Sequence, residues 1–169
     1  MATGDPDPAA LTRSIAHEFR RRLLGEMLPR ISACLDRLGP AGVWQRPAPH
    51  CNSAGNLVLH LCGNATQWIL ATFGVVPDQR VRDEEFAATG GPSPAELKAR
   101  LTAVWTRCCD TVDALPAAEW LRERTIQQRY RETGLTAVLH VLEHASGHAG
   151  QIYAWTKQAT GQDLRFYDL

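Results

Sequence analysis

The stretch GLTAVLHVLEHASGHAGQIYAWTKQAT, residues 134–160, decides how the rest of the chain is read. Leu135, Val138, Leu139, Val141, Leu142, Ile152 and Tyr153 recur at three and four, the period of a helix with one buried face. Thr133 or Gly134 begins it, and Gly161 supplies the left-handed stop. Three of the chain's six histidines fall inside it, at 140, 144 and 148. At about 100° per residue, an i, i+4, i+8 series turns by only about 40° per step, so the three imidazoles lie along one face. Neighbours in that series approach closely enough to share an ion, and imidazole nitrogen suits a first-row divalent cation. The spacing admits His140 with His144 as readily as His144 with His148, and it also suits a helix that merely shows polar histidines to water. Gln151 projects within about 60° of His144 and His148. Gly147 and Gly150 strip bulk from adjacent turns at about 1 kcal/mol each relative to alanine, which points to a packing or access need.

A helix with one apolar face needs partners, and three more are legible. Ser93-Pro94-Ala95-Glu96 is a start signal: serine caps, proline takes the first helical position and glutamate reaches back. The helix it opens runs to about Leu115, burying Leu97, Leu101, Val104, Trp105, Cys108 and Val112, and Pro116 ends it. Another begins at Asn52 or Ser53 and runs to about Phe73, with Gly74 as its stop. The first spans residues 9–38 on a stripe from Leu11 and Ile15 to Leu35 and Leu38, with a bend expected near Pro29. Residues 39–52, rich in proline and glycine, form an ordered connector anchored by Trp44. Residues 75–91 show no period and read as a long surface loop of the kind that often covers a site, and residues 120–132 as a short extended excursion or loop. The expected architecture is all-α: a four-helix bundle with a long connector between helices 2 and 3.

The composition fits one domain over residues 1–169, with residues 1–8 as a frayed leader. Apolar residues make up 44% and charged residues 21%, enough for a packed core and unlike a disordered chain. Eighteen basic residues balance eighteen acidic ones, so no net field gathers nucleic acid or an anionic membrane surface, and the expected partner is a small molecule. No run approaches the roughly 18 uninterrupted apolar residues of a membrane span. Residues 1–8 lack a basic start followed by an apolar run, so no secretory signal is expected. Cys34, Cys51, Cys62, Cys108 and Cys109 make an odd set without a C-x-x-C pair. They read as free thiols in a cytoplasmic protein.

His60 lies mid-helix among Leu57, Val58, Leu59 and Leu61 and faces inward. A lone histidine there is commonly a hydrogen-bonded core residue. In a bundle, however, metal sites draw side chains from facing helices, and a histidine pair needs a third donor. His60 is the best candidate for it. Asn56 and Asn64 share its face and are placed to orient ligands or a substrate, whereas Cys62 points some 200° away. His140-Val141-Leu142-Glu143-His144 also spells the H-x-x-E-H of inverted zinc peptidases, but only 25 residues follow His144, too few for the further acidic ligand. Neither a G-x-S-x-G elbow nor a P-loop is present.

Two blocks, NSAGNLVLHLCGN at residues 52–64 and HVLEHASGHAGQI at residues 140–152, resemble the DinB/YfiT-like family of metal-dependent proteins. The order and spacing of the helices agree over nearly the whole chain. The resemblance implies a four-helix bundle, often a homodimer, holding a divalent ion, commonly zinc or nickel, on three histidines. Carried over by motif, the ligands are His60, His144 and His148, with His140 one turn away beside the pocket. Characterised branches are similar to S-transferases and isomerases that use low-molecular-weight thiols. The expectation is therefore a metal-dependent, thiol-using transferase acting on a small molecule. A metal-dependent hydrolase or isomerase, and a non-catalytic metal-stabilised bundle that binds a partner, are the alternatives. Three neutral imidazoles leave the ion's charge intact and a coordination position open, the pattern of catalytic sites.

Overall fold

A computed structural model of the chain describes residues 7–166. Residues 1–6 of the expected leader lie outside the described residues, and Asp7 and Pro8 form the start of the first helix. The Asp7 carboxylate accepts the Ala9 amide at 2.9 Å and Pro8 takes the first helical position of α1 (Pro8–Arg20).

The first long rod continues through a π-helical segment, Arg21–Met27, into α2 (Leu28–Gly42). The bend expected at Pro29 is replaced by this widened segment. Proline lacks the amide that would bond the carbonyl four residues back, and its ring would crowd that carbonyl. Shifting the register by one residue, with the Leu28 amide on the Leu23 carbonyl, admits the ring. The α2 axis breaks at Gly39, whose φ of 65° and ψ of −178° precede Pro40. The second rod is α3 (Ala54–Ala65) followed by a π-helical segment, Thr66–Ala71. Ser53 and Asn56 form a reciprocal capping box at its start, and Gly74, at φ 75°, turns the chain out. The third is α5 (Pro94–Asp113), opened by the Ser93–Glu96 capping box. The fourth is α7 (Gly134–Thr160), capped by Thr133 and Thr136 and stopped by left-handed Gly161.

The connectors carry more structure than the sequence pattern shows. The stretch read as a loop contains α4 (Arg82–Ala87), and the segment after Pro116 contains α6 (Ala117–Leu121). The extended excursion is a hairpin, β1 (Glu123–Ile126) antiparallel to β2 (Tyr130–Thr133), with Ile126 opposite Tyr130. Its turn puts Gln127 and Gln128 at φ 56°, a left-handed conformation that costs non-glycine residues about 1–2 kcal/mol each. β2 runs straight into α7, so the hairpin is fixed to the histidine helix.

Each of α2 and α3 packs against both α5 and α7, giving the four-helix bundle. Phe19, Leu23, Ile31, Leu35, Leu57, Leu61, Leu97, Leu101, Trp105 and Ile152 are fully buried between them. All five cysteines are free thiols, and Cys34, Cys62, Cys108 and Cys109 are buried. Burial pushes the Cys62 and Cys109 thiols up to about 12, so neither is poised as a thiolate. Among the described residues no helix is long and apolar enough to cross a membrane. Trp44 anchors its connector as expected: its indole donates to the Pro92 carbonyl at 3.2 Å and its ring covers Gly55, where a β-carbon would sit 2.8 Å from ring atoms.

The glycines of α7 divide sharply. A β-carbon on Gly134 would collide with the Glu119 backbone carbonyl, whereas one on Gly147 or Gly150 would meet nothing within 4 Å. The expected close approach at 147 and 150 is therefore not made among the described residues. Gly134→Ala should force α6 from α7 and cost about 1–3 kcal/mol, lowering the melting temperature. Gly150→Ala should instead raise it, by up to about 1 kcal/mol of helix propensity. Thermal unfolding followed by circular dichroism checks both signs.

Candidate metal centre

Three of the histidines singled out in the sequence converge. The candidate ligand atoms of His60, His144 and His148 all lie within 4.8 Å of one another, and the Nε2 atoms of His60 and His144 are 2.9 Å apart. α3 delivers His60 and α7 the other two, one helical turn apart. The packing of α3 on α7 therefore sets the site's width. The arrangement fits a divalent ion. Two ligating nitrogens on a tetrahedral ion with Zn–N of about 2.0–2.1 Å stand about 3.3 Å apart, close to what is seen. Burial, reinforced by His148, His60, His140 and Arg80, lowers the His144 pKa to about 3, and burial lowers His148 as well. Both imidazoles are neutral at pH 7, with lone pairs to offer.

The outer nitrogens of two candidate ligands are occupied. Gln151 Oε1 lies 2.9 Å from His148 Nδ1, as its place on the same face of α7 allows. His60 Nδ1 lies 2.8 Å from Glu85 Oε2. Glu85 is in turn gripped by Arg80, whose Nε and Nη2 donate to its two oxygens at 2.8 and 2.9 Å. The Arg80, Glu85 and His60 side chains are only 6%, 11% and 5% exposed, so this is a buried polar cluster. Burial alone would raise the Glu85 carboxyl, but the hydrogen bonds from Arg80 and His60 outweigh it and hold the group below its usual value. Arg80 Nη1 also donates to Gln67 Oε1, which Gln127 of the hairpin turn reaches at 2.7 Å.

The remaining residues of the sequence reading fall around this core. His140 lies flat on Trp68, ring centroids 3.6 Å apart, with its Nε2 3.1 Å from Asn64 Nδ2. It sits one turn from His144, with 5.5 Å between centroids, and is absent from the converging trio. Asn64 thus holds His140. Asn56 does not face the histidines' centre: its side chain caps α3 and donates to the carbonyls of Glu85 and Ala88 at 2.9 and 2.7 Å. It pins the segment that carries Glu85. Glu143, the nearest carboxylate in sequence, is exposed on another face of α7 beside Glu18, Arg22 and Arg30.

Sequence reasoning missed Arg80, Glu85 and Phe86, all in the stretch read as a surface loop. Phe86 packs on His60 with centroids 4.5 Å apart. The one available signal was Gly63 in the last turn of α3, where a β-carbon would collide with Glu85 Oε1. The glycine leaves the room that the carboxylate fills. In front of His60 and His144 opens a cavity of about 530 Å³, lined also by His140, Trp68 and Tyr130, with Arg82, Gln127 and Glu132 around it.

None of the curated proteins matches the chain. The family model of the DinB superfamily matches residues 23–152, a span that contains α2, α3, α5 and most of α7 together with His60, His144 and His148. With the match covering well over half of its length, and with a helical bundle bringing three histidines together inside the matched span, the chain belongs to the DinB superfamily.

Proposed function

We propose that this protein is a metal-dependent enzyme of small-molecule chemistry, holding one divalent ion, zinc or nickel, on His60, His144 and His148. The observation that carries the reading is the convergence of three imidazoles, two of which, His60 and His144, line an open cavity. When bound, such an ion supplies Lewis acidity that lowers the pKa of a thiol or water at its open position. The family's resemblance favours the thiol, making the reaction an S-transfer. The thiol loses its proton to water in the cavity and its sulfur bonds to the acceptor. The acceptor's leaving group departs with the electron pair of the bond that breaks.

The chain's own residues prepare the site. Burial keeps His144 and His148 neutral. Gln151 and Glu85 aim His148 and His60, and Trp68 with His140 presents a flat wall for the substrate's body. Balanced charge suits a small-molecule partner rather than nucleic acid. A homodimer in the cytoplasm completes the proposal, supported by family likeness and by the five free thiols.

Elemental analysis should find one divalent ion per chain, and His144→Ala and His148→Ala should each lose it, because a two-ligand remnant holds such an ion weakly. His60→Gln should cost more affinity than His140→Gln, since losses beside the ligands run about 10- to 100-fold. The reverse order in a metal titration would move the site one turn toward the start of α7. For catalysis, thiol consumption with an electrophilic chromogenic acceptor should stop on chelation and in His148→Ala while helicity persists. A chelator that lowers the melting temperature of a protein showing no such turnover would instead mark a metal-stabilised binding module.

A further inference from the structure

We propose that Glu85, clamped by Arg80, is the positioning carboxylate of the site: it holds the His60 ring as the Nδ1–H tautomer, leaving Nε2 as the lone pair that faces His144. The inference deepens the metal-centre reading and rests on it only for the ion.

The geometry at His60 Nδ1 offers two choices. Glu85 Oε2 lies 2.8 Å away, and Arg80 Nη2 lies 3.1 Å away. If Nδ1 accepted from the guanidinium, its lone pair would face a carboxylate oxygen as well, and two lone pairs would be opposed in a dry pocket. Arg80 Nη2 already has an acceptor in Oε2 at 2.9 Å, so it does not need the ring. Placing the proton on Nδ1 satisfies all three groups, with Oε2 accepting from both ring and guanidinium. In the neutral ring the other nitrogen is then the acceptor.

The segment bearing Glu85 is built to hold this arrangement. Asn56 takes the carbonyls of Glu85 and Ala88, Arg46 Nη2 takes that of Phe86 at 2.6 Å, and Gly63 makes room for Oε1. Such carboxylate–imidazole pairs fix the ring and raise its basicity toward a metal. Gln151 occupies His148 Nδ1 in the same way, whereas among the described residues His144 Nδ1 has no hydrogen-bond partner. With His60 Nε2 as the acceptor, the proton between the two rings sits on His144 Nε2.

The test is nitrogen NMR of metal-free protein labelled at histidine, with the His60 signals identified by their loss in His60→Gln, alongside a cobalt titration. The wild type should show Nδ1–H at His60. In Glu85→Gln the amide oxygen remains with Arg80 Nε, so the amide N–H faces Nδ1 and should turn the ring to Nε2–H. Cobalt affinity should fall at least about tenfold. An Nε2–H tautomer in the wild type overturns the proposal, and that measurement does not depend on the variant folding. So does a folded Glu85→Gln protein with tautomer and cobalt affinity unchanged. A wild type that takes up no cobalt would sink the metal reading instead, while the tautomer would still judge the role of Glu85.

Discussion

An ionised carboxylate taken out of water is stable only if a cation closes the pair and the remaining lone pairs are used. The Arg80–Glu85 pair meets both conditions at 6% and 11% exposure, and the surroundings of the three histidines follow from it. Glu85 fixes His60 from behind. Arg80 reaches on to Gln67, and Gln67 to the hairpin turn that precedes the histidine helix. One buried ion pair thereby ties α3, the segment between α3 and α5, and the β-hairpin into a single frame around the cavity. Breaking either partner would leave the other charged and unaccompanied, which is why the pair constrains its neighbours so strongly.

The bundle itself was legible because helices advertise themselves locally. Ser93 with Glu96 and Gly161 mark ends through chemistry that involves a few adjacent residues, and the apolar stripes of α5 and α7 repeat at the helical period. The histidine face of α7 was legible for the same reason, but its spacing admits His140 with His144 as readily, and the family resemblance singled out His144 with His148. His60 needed the additional premise that facing helices share a site. Arg80 and Glu85 could not be found this way. They sit in a segment without period, and their importance comes from contact with His60, 20 and 25 positions away in sequence, beside Gly63, a glycine that carries no outward sign of its use.

The π-helical segments were hidden for a different reason. They insert one residue into a ladder whose apolar pattern continues on both sides, so the stripe read from Leu11 to Leu38 survives while its hydrogen bonding shifts. At Pro29 the cause is visible afterwards, in the missing amide. At Thr66–Ala71 no proline is present, and the segment carries Gln67 and Trp68, both of which serve the site. Wide turns of this type are found often at functional positions.

That second wide turn also works as a phase shifter. In an unbroken α-helix every side chain's azimuth is dictated by every other, so a residue cannot be re-aimed without rotating the whole rod. The added residue at 66–71 uncouples the two ends: the His60 half keeps the orientation that packing against α5 and α7 demands, while the Trp68 half is indexed separately to meet His140. The rod behaves as two cams on one shaft. The wall of the cavity is free to diverge in shape and chemistry without disturbing the angle at which α3 presents His60.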